Sequence, residues 1–501
     1  VHDPTPANTP TSADAPAPAD TPTPADAPAP ADAATSADTP APADTPGNAP
    51  APENARTPPA AAAGCPAHGA ARQRPPALFD PRFAADPYPA YAWLREHAPV
   101  HRTTLPSGVE AWLVTRYPDA RQALADARLS KSPHHHREQG AHGKGKVGIP
   151  GERSANLMTH LLNIDPPDHT RLRRLVSKAF TPRRVAAFAP RVRELADGLI
   201  DGFAARGTAD LIHEFAFPLP IYAICDMLGV PSRDQEDFRS WAGMMIHQPG
   251  SPRGGVGRAV KRMRGYLSEL IESKRAGLAD GAPGDDLISG LIRASDHGEH
   301  LTGEEAAAMA FILLFAGFET TVNLIGNGTY ALLRHPAQRA RLQQAVTGNA
   351  GTAGTDGRTD AFLETAVEEL LRYDGPVELA TWRFATEPLT LGGQRIAAGD
   401  PVLVVLAAAD RDPAKFPEPD VLDLTRTDNQ HLGYGHGIHY CLGAPLARLE
   451  GRTAFAALFG RLPDLRLDAD PDELRWRGGL IMRGLRTLPV AFTPHGGSTS
   501  V

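Results

Sequence analysis

One cysteine, Cys441, lies in the run Leu432 to Gly443, where Gly435, Gly437 and Gly443 let backbone wrap closely around a thiol with no partner cysteine nearby. The three cysteines of the chain, Cys65, Cys225 and Cys441, are too far apart in sequence to suggest a disulfide framework or a four-cysteine zinc or iron–sulfur site. A single thiolate on a glycine loop suits axial ligation of one large metal centre, above all a haem iron. A phosphate-cradling loop is the rival reading. It fails because the third glycine of the dinucleotide fingerprint is missing and no Gly-Lys-Ser/Thr follows. Cys225, in the apolar stretch Ile221 to Val230, reads as a small buried hydrophobe.

Three more constellations carry chemistry. The string Ala316-Gly317-Phe318-Glu319-Thr320-Thr321 interrupts an otherwise apolar helical run with a glycine, an acid and two hydroxyls. Buried polar groups are costly without a purpose. Threonines that bond back to the preceding turn, together with Gly317, would open a local bulge able to admit water or dioxygen. Glu369 and Arg372 lie three apart on one helical face, where they can pair. His169 and Arg173, four apart, share another face and offer cations to an anionic group. On the opposite side Arg171, Arg174 and Lys178 form a basic stripe, which reads equally as a solvated helix face or, with Arg448 and Arg452, as a docking patch for an acidic partner whose encounter would be salt-sensitive. His134, His135, His136 and His142 invite a metal reading, but the glycines around them favour a flexible lid.

Together these strings resemble the cytochrome P-450 monooxygenases. The cysteine loop is similar to the family's Phe-x-x-Gly-x-x-x-Cys-x-Gly signature, with Tyr434 in place of the phenylalanine, a change that could tune the iron. The resemblance implies Cys441 as axial ligand of haem b, cradled by Tyr434, Gly435, Gly437 and Gly443, with His169, Arg173, Arg383 and His439 on its propionates. It implies Glu319 and Thr320 as the pair that delivers protons during oxygen activation, and Glu369 and Arg372 as the fold-supporting pair. The family adds a third, arginine member near Phe416 to Asp423. Val421 stands there, which leaves two readings open: Arg426 substitutes, or the pair works without a third member. By position, Leu313, Ala316, Gly317, Val377, Leu379, Ala380, Leu480 and Ile481 would line the substrate pocket.

The elements that must position these groups are mainly helical. Apolar spacing predicts helices near 169–188, 191–206, 258–279, 303–334 and 361–373, and short strands at Ala111 to Thr115, Leu389 to Leu391, Gln394 to Ile396 and Val402 to Leu406. Pro133 to Arg153, Gln248 to Gly257 and Thr347 to Asp360 read as mobile loops. The family likeness spans residues 76–494 and implies a triangular, α-rich fold with a small β region, haem lying between a long central helix and the cysteine loop. Residues 1–75, where Ala-Asp recurs from Asp14 to Asp44 amid proline and threonine, read as a disordered tail, and 495–501 as a flexible C-terminus. Residues 1–55 hold seven aspartates and Glu53 with no lysine or arginine, so of the formal −7 the remainder of the chain carries about +1.

No signal peptide and no run of eighteen apolar residues is found, so a soluble, cytoplasmic protein is expected. The expected activity is insertion of one oxygen atom from O2 into a C–H bond of a bulky, mostly apolar molecule, such as a macrolide, another secondary metabolite or a steroid-like compound. Electrons would come from a ferredoxin and its reductase, with no nucleic acid and no membrane span involved. The likeness is to soluble actinobacterial enzymes. An oxidative coupling enzyme would keep every motif. A peroxygenase or a non-catalytic haem sensor would leave Glu319 and Thr320 without purpose.

Overall fold

The computed structural model describes residues 76–132, 160–246, 255–296, 298–348 and 357–494. The N-terminal tail, the histidine-rich segment, the C-terminal residues 495–501 and most of the three loops lie outside the described residues.

The architecture is organised around one central helix, Gly303–Arg334. Thr302 and Glu305 begin it with reciprocal side-chain-to-backbone bonds of 3.1 and 2.9 Å, a capping box that satisfies two orphan amides. The His335-Pro336 step ends it. By length and composition this helix could cross a membrane, but its most apolar window is 67% buried within the fold, as befits a core helix. Around it pack Pro218–Leu228, Gly255–Ala279, Gly357–Asp374 and Ala444–Arg461. The apolar run expected over 169–188 is two helices, Asp168–Ala179 and Pro182–Ala187. Pro182 cannot supply the amide needed to continue the first, and the Thr181 hydroxyl instead caps the second.

Five short strands form the main sheet: β1 (Val100–Thr104), β2 (Glu110–Val114), β3 (Leu129–Ser130), β4 (Arg383–Ala385) and β5 (Pro401–Val404). Their spatial order is β1-β2-β5-β4-β3. β2 and β5 run parallel, with Trp112 opposite Val402, and the other pairs are antiparallel. Alternate side chains of these two strands enter separate cores: Val114, Val402 and Val404 one, Ala111, Leu113 and Leu403 the other. Both faces of the sheet are therefore covered, and each fully buried Val or Leu contributes on the order of 1.5–3 kcal/mol. A separate hairpin, Leu389–Leu391 with Gln394–Ile396, turns at Gly392 and Gly393, both at positive φ. The helix Tyr117–Ala125, which packs on this sheet, lies beside the cysteine loop: a β-carbon on Gly437 (φ +75°) would meet the Leu124 carbonyl at 3.2 Å.

Candidate active site

Cys441 is a free, half-buried thiol immediately before the helix Ala444–Arg461. Its own amide donates to the Tyr434 carbonyl at 2.9 Å, which closes the loop. Gly435 and Gly437, both left-handed, make the turn possible. Burial pushes the thiol up. The amides of Gly443 and Ala444 and the guanidinium groups of Arg173 and Arg448 pull it down. A sulfur held among two amides and two cations is a donor suited to a metal-bound thiolate. The Tyr434 hydroxyl is buried and finds no hydrogen-bond partner among the described residues, and the Arg448 guanidinium lies over its ring at 4.4 Å.

Beside the loop lies a concentration of buried cations. The His169 and His439 rings stand 4.3 Å apart; both ring nitrogens of His169 and Nδ1 of His439 are buried without partners. Arg173 donates to the Tyr440 carbonyl at 2.7 Å. Arg383 makes only long contacts to the carbonyls of Thr381 (3.3 Å) and Leu124 (3.4 Å). Lys131 adds a charge that sequence reasoning missed: its Nζ donates to the Trp382 carbonyl at 2.7 Å. Burial, then Arg383, holds Lys131 well below its usual range, and burial brings Arg383 down to about 10. Burial, Lys131, His169 and Arg383 together depress His439 to about 3. The carboxylate acting on Lys131, His169 and Arg383 is Asp165, which also accepts from the Ser130 hydroxyl and the Lys131 amide. Two arginines, a lysine and two histidines with unpartnered ring nitrogens, set against the carboxylate of Asp165, form a donor-rich site that suits an anionic ligand, whose charge would favour the protonated form of each depressed group. Two propionates next to an axial cysteine answer that requirement, so the residues present fit haem.

Glu369 ties this loop to the rest of the fold. Fully buried, it accepts from Arg372 Nε (2.7 Å) and Nη2 (2.9 Å), Arg426 Nε (3.1 Å), Asn429 Nδ2 (3.0 Å) and the Asp423 amide (2.9 Å). Arg372 reaches onward to the carbonyls of Asp410, Pro419 and Val421. The substitute arginine is thus Arg426, five residues beyond Val421. Asn429 carried no sequence signal.

On the central helix the Thr320 hydroxyl donates to the Ala316 carbonyl at 2.7 Å and that of Thr321 to Gly317 at 3.1 Å. The helix nevertheless runs on unbroken, because each hydroxyl adds a bond to a carbonyl that stays in the ladder. Burial raises Glu319, and Arg477 opposes that rise. An acid that keeps its proton to higher pH suits proton delivery. Next to Thr320, Thr321 lowers Glu450, a fully buried carboxyl that burial nevertheless raises to about 8; the Thr321 hydroxyl donates to the Gly317 carbonyl instead, and neither Glu450 oxygen has a well-formed hydrogen bond among the described residues.

Of the expected pocket residues, Val377, Leu379 and Ala380 run beside Leu480 and Ile481: the amides of Glu378 and Leu379 both donate to the Ile481 carbonyl (2.8 and 3.3 Å). Leu379 is itself core, packed with Trp382 and Leu403. Leu313 and Ala316 stand half-buried on the central helix. Gly317 lies one turn beyond Leu313 on the same helix, and a β-carbon there would lie 3.8 Å from Ile224 of the helix Pro218–Leu228. The basic stripe also differs from expectation. Arg171 pairs with Glu305, Arg174 with Glu299 (3.6 Å), Arg448 with Glu368 (2.7 Å) and Arg452 with Glu364, so most of its charge is compensated within the fold.

A model of the cytochrome P450 family matches residues 221–474. The cytochrome P450 monooxygenase PikC of Streptomyces venezuelae is 49% identical, over 82% of this chain and 92% of the relative. The vitamin D(3) 25-hydroxylase of Pseudonocardia autotrophica is 44% identical, over 83% and 96%. Among solved structures, the cytochrome P450 PksS of the Bacillus subtilis bacillaene polyketide synthase superposes with a TM-score of 0.73 at 36% identity, over 83% of this chain and all of that one.

Proposed function

The chain belongs to the cytochrome P450 family, and on that premise we propose that this monooxygenase binds haem b and oxidises a C–H bond of a bulky, mostly apolar polyketide-derived or steroid-like metabolite. A relative that hydroxylates vitamin D(3) and a structural neighbour from a polyketide synthase support that substrate class. The observation that carries the reading is the gathering of Lys131, Arg173, Arg383, His169 and His439, only partly offset by Asp165, beside a lone glycine-loop cysteine. Haem, when bound, supplies reductive activation of O2 and transfer of one oxygen atom.

The protein's own residues do the rest. Cys441 would hold the iron, and His169, Arg173, Arg383 and His439, with Lys131, would neutralise the propionates. Glu319, which burial raises above the usual carboxyl range, would supply the proton, and the Thr320 hydroxyl could redirect the hydrogen bond it now donates to the Ala316 carbonyl toward an incoming ligand. Electrons would come from a ferredoxin and its reductase. Because Arg171, Arg174, Arg448 and Arg452 are already paired, docking would depend on shape around Tyr440, which is 40% exposed on the cysteine loop, more than on net charge. The buried central helix fits a soluble, cytoplasmic enzyme.

The deciding experiment is the absorption spectrum of the reduced protein under carbon monoxide, wild type against Cys441→His. A strongly red-shifted Soret band that the substitution abolishes is the expected result. No haem, or a band indifferent to the change, would overturn the proposal.

A further inference from the structure

The segment Trp476 to Leu485, closed by a bridge between those two residues, lies along the stripe of the central helix that begins at Glu319. One helical turn beyond the acid, Asn323 is met by Gly484 so closely that a β-carbon on Gly484 would fall 2.0 Å from Asn323 Oδ1. A turn further, Asn327 donates to the Arg483 carbonyl at 3.1 Å. Beyond that, Trp476 stands edge-on to Tyr330 at 6.0 Å. Glu319, Asn323, Asn327 and Tyr330 are spaced four, four and three apart, which is one face of a helix.

Arg477 is the cross-strand neighbour of Gly484, its amide donating to the Gly484 carbonyl at 2.8 Å. The residue seated on Asn323 and the residue carrying the guanidinium are therefore one strand spacing apart, about 4.8 Å. Arg477 Nε is anchored on the Leu485 carbonyl at 3.2 Å, while Nη1 is buried with no partner among the described residues. Both amide atoms of Asn323 are buried and unpartnered as well. Leaving such groups unsatisfied is costly, so their gathering one turn from an acid marks a strip suited to ordered water. Glu319 and Arg477 act on each other electrostatically.

The strip leads outward. Around Arg477 stand Arg486, the residue just after this segment, and His213 on the turn Ile212–Ala216, whose Ile212 abuts Gly326 of the central helix. His213 pairs with Asp210 at 2.6 Å and is 44% exposed in its side chain.

We infer that Arg477 is a positioning residue for Glu319: with no direct ion pair between them, its guanidinium acts on the carboxyl across the unpartnered strip at Asn323, where ordered water would bridge them, and solvent protons reach the acid along the seam between helix and hairpin. The inference rests on the reading of Glu319 as the proton donor. Arg477 opposes the effect of burial on Glu319, so removing its charge leaves the carboxyl protonated to higher pH.

The test is an infrared pH titration of the Glu319 carboxyl in the ferric holoenzyme, its band identified by disappearance in Glu319→Gln. Wild type, Arg477→Gln and Arg477→Lys are compared. The midpoint is expected to move upward in Arg477→Gln and to stay near wild type in Arg477→Lys, which keeps the charge and controls for lost packing. An unmoved midpoint in Arg477→Gln overturns the inference. Product formed per electron consumed is measured alongside. If the midpoint moves while Glu319→Gln leaves that yield unchanged, Arg477 is placed correctly and the proton-donor reading of Glu319 is what fails.

Discussion

Replacing Glu369 by glutamine keeps its shape and removes its charge, and the surrounding geometry sets the expected loss. The carboxylate is fully buried and accepts five hydrogen bonds, three of them from the guanidinium groups of Arg372 and Arg426. A glutamine amide turns one acceptor into a donor facing donors: at the Oε1 position it would confront Arg372 Nη2 and the Asp423 amide. Two arginines would also lose their counter-ion inside the protein. Breaking a buried pair from one side costs about 3–5 kcal/mol. Arg426→Gln is the internal comparison. It leaves the bidentate Glu369–Arg372 pair in place and removes one charge-assisted contact at 3.1 Å, worth about 1.5–3 kcal/mol. Urea unfolding of the holoenzyme followed by circular dichroism measures both, and haem retention after gel filtration reports whether the cysteine loop has loosened. Equal losses, or a loss below about 1 kcal/mol in Glu369→Gln, would refute the view of Glu369 as the centre of this network.

Two further outcomes are expected. Glu450 is raised from 4.5 to about 8 in the folded protein, so the fold binds a proton that the unfolded chain has released between those values. Stability from this group is complete below pH 4.5 and lost as pH rises toward 8; Glu450→Gln should flatten that part of the stability-against-pH curve, and an unchanged slope would mean the carboxyl is not protonated there. Thr320→Ala should retain haem yet divert electrons from product to hydrogen peroxide, read by the ratio of peroxide to product, and undiminished coupling would remove Thr320 from the proton path.

Local signals in the sequence were enough to place elements whose stability is local. The central helix is legible at its observed bounds because its apolar spacing is carried within the segment itself. The strand Gln394–Ile396 and its partner were read because Gly392 and Gly393 announce the turn. What depends on distant residues was not legible. Lys131 follows a two-residue strand without periodicity, and only folding sets it beside Thr381 and Trp382, some 250 residues away. The basic stripe looked exposed because its counter-ions arrive from other helices, Glu305 lying 134 residues beyond Arg171. The facing of Gly317 toward Ile224 likewise depends on which helix packs there, which spacing alone does not reveal.

The parallel pairing of β2 with β5 joins Trp112 to Val402 across 290 residues. On a ribosome adding about 5–20 residues per second, the β1–β2 hairpin emerges roughly 15–60 s before the strand that completes its sheet. Throughout that interval β2 offers one unpaired edge and two apolar faces, the condition under which nascent chains capture one another. The yield of native enzyme in a host cell should therefore follow elongation rate and chaperone supply, both of which act before any cofactor can bind.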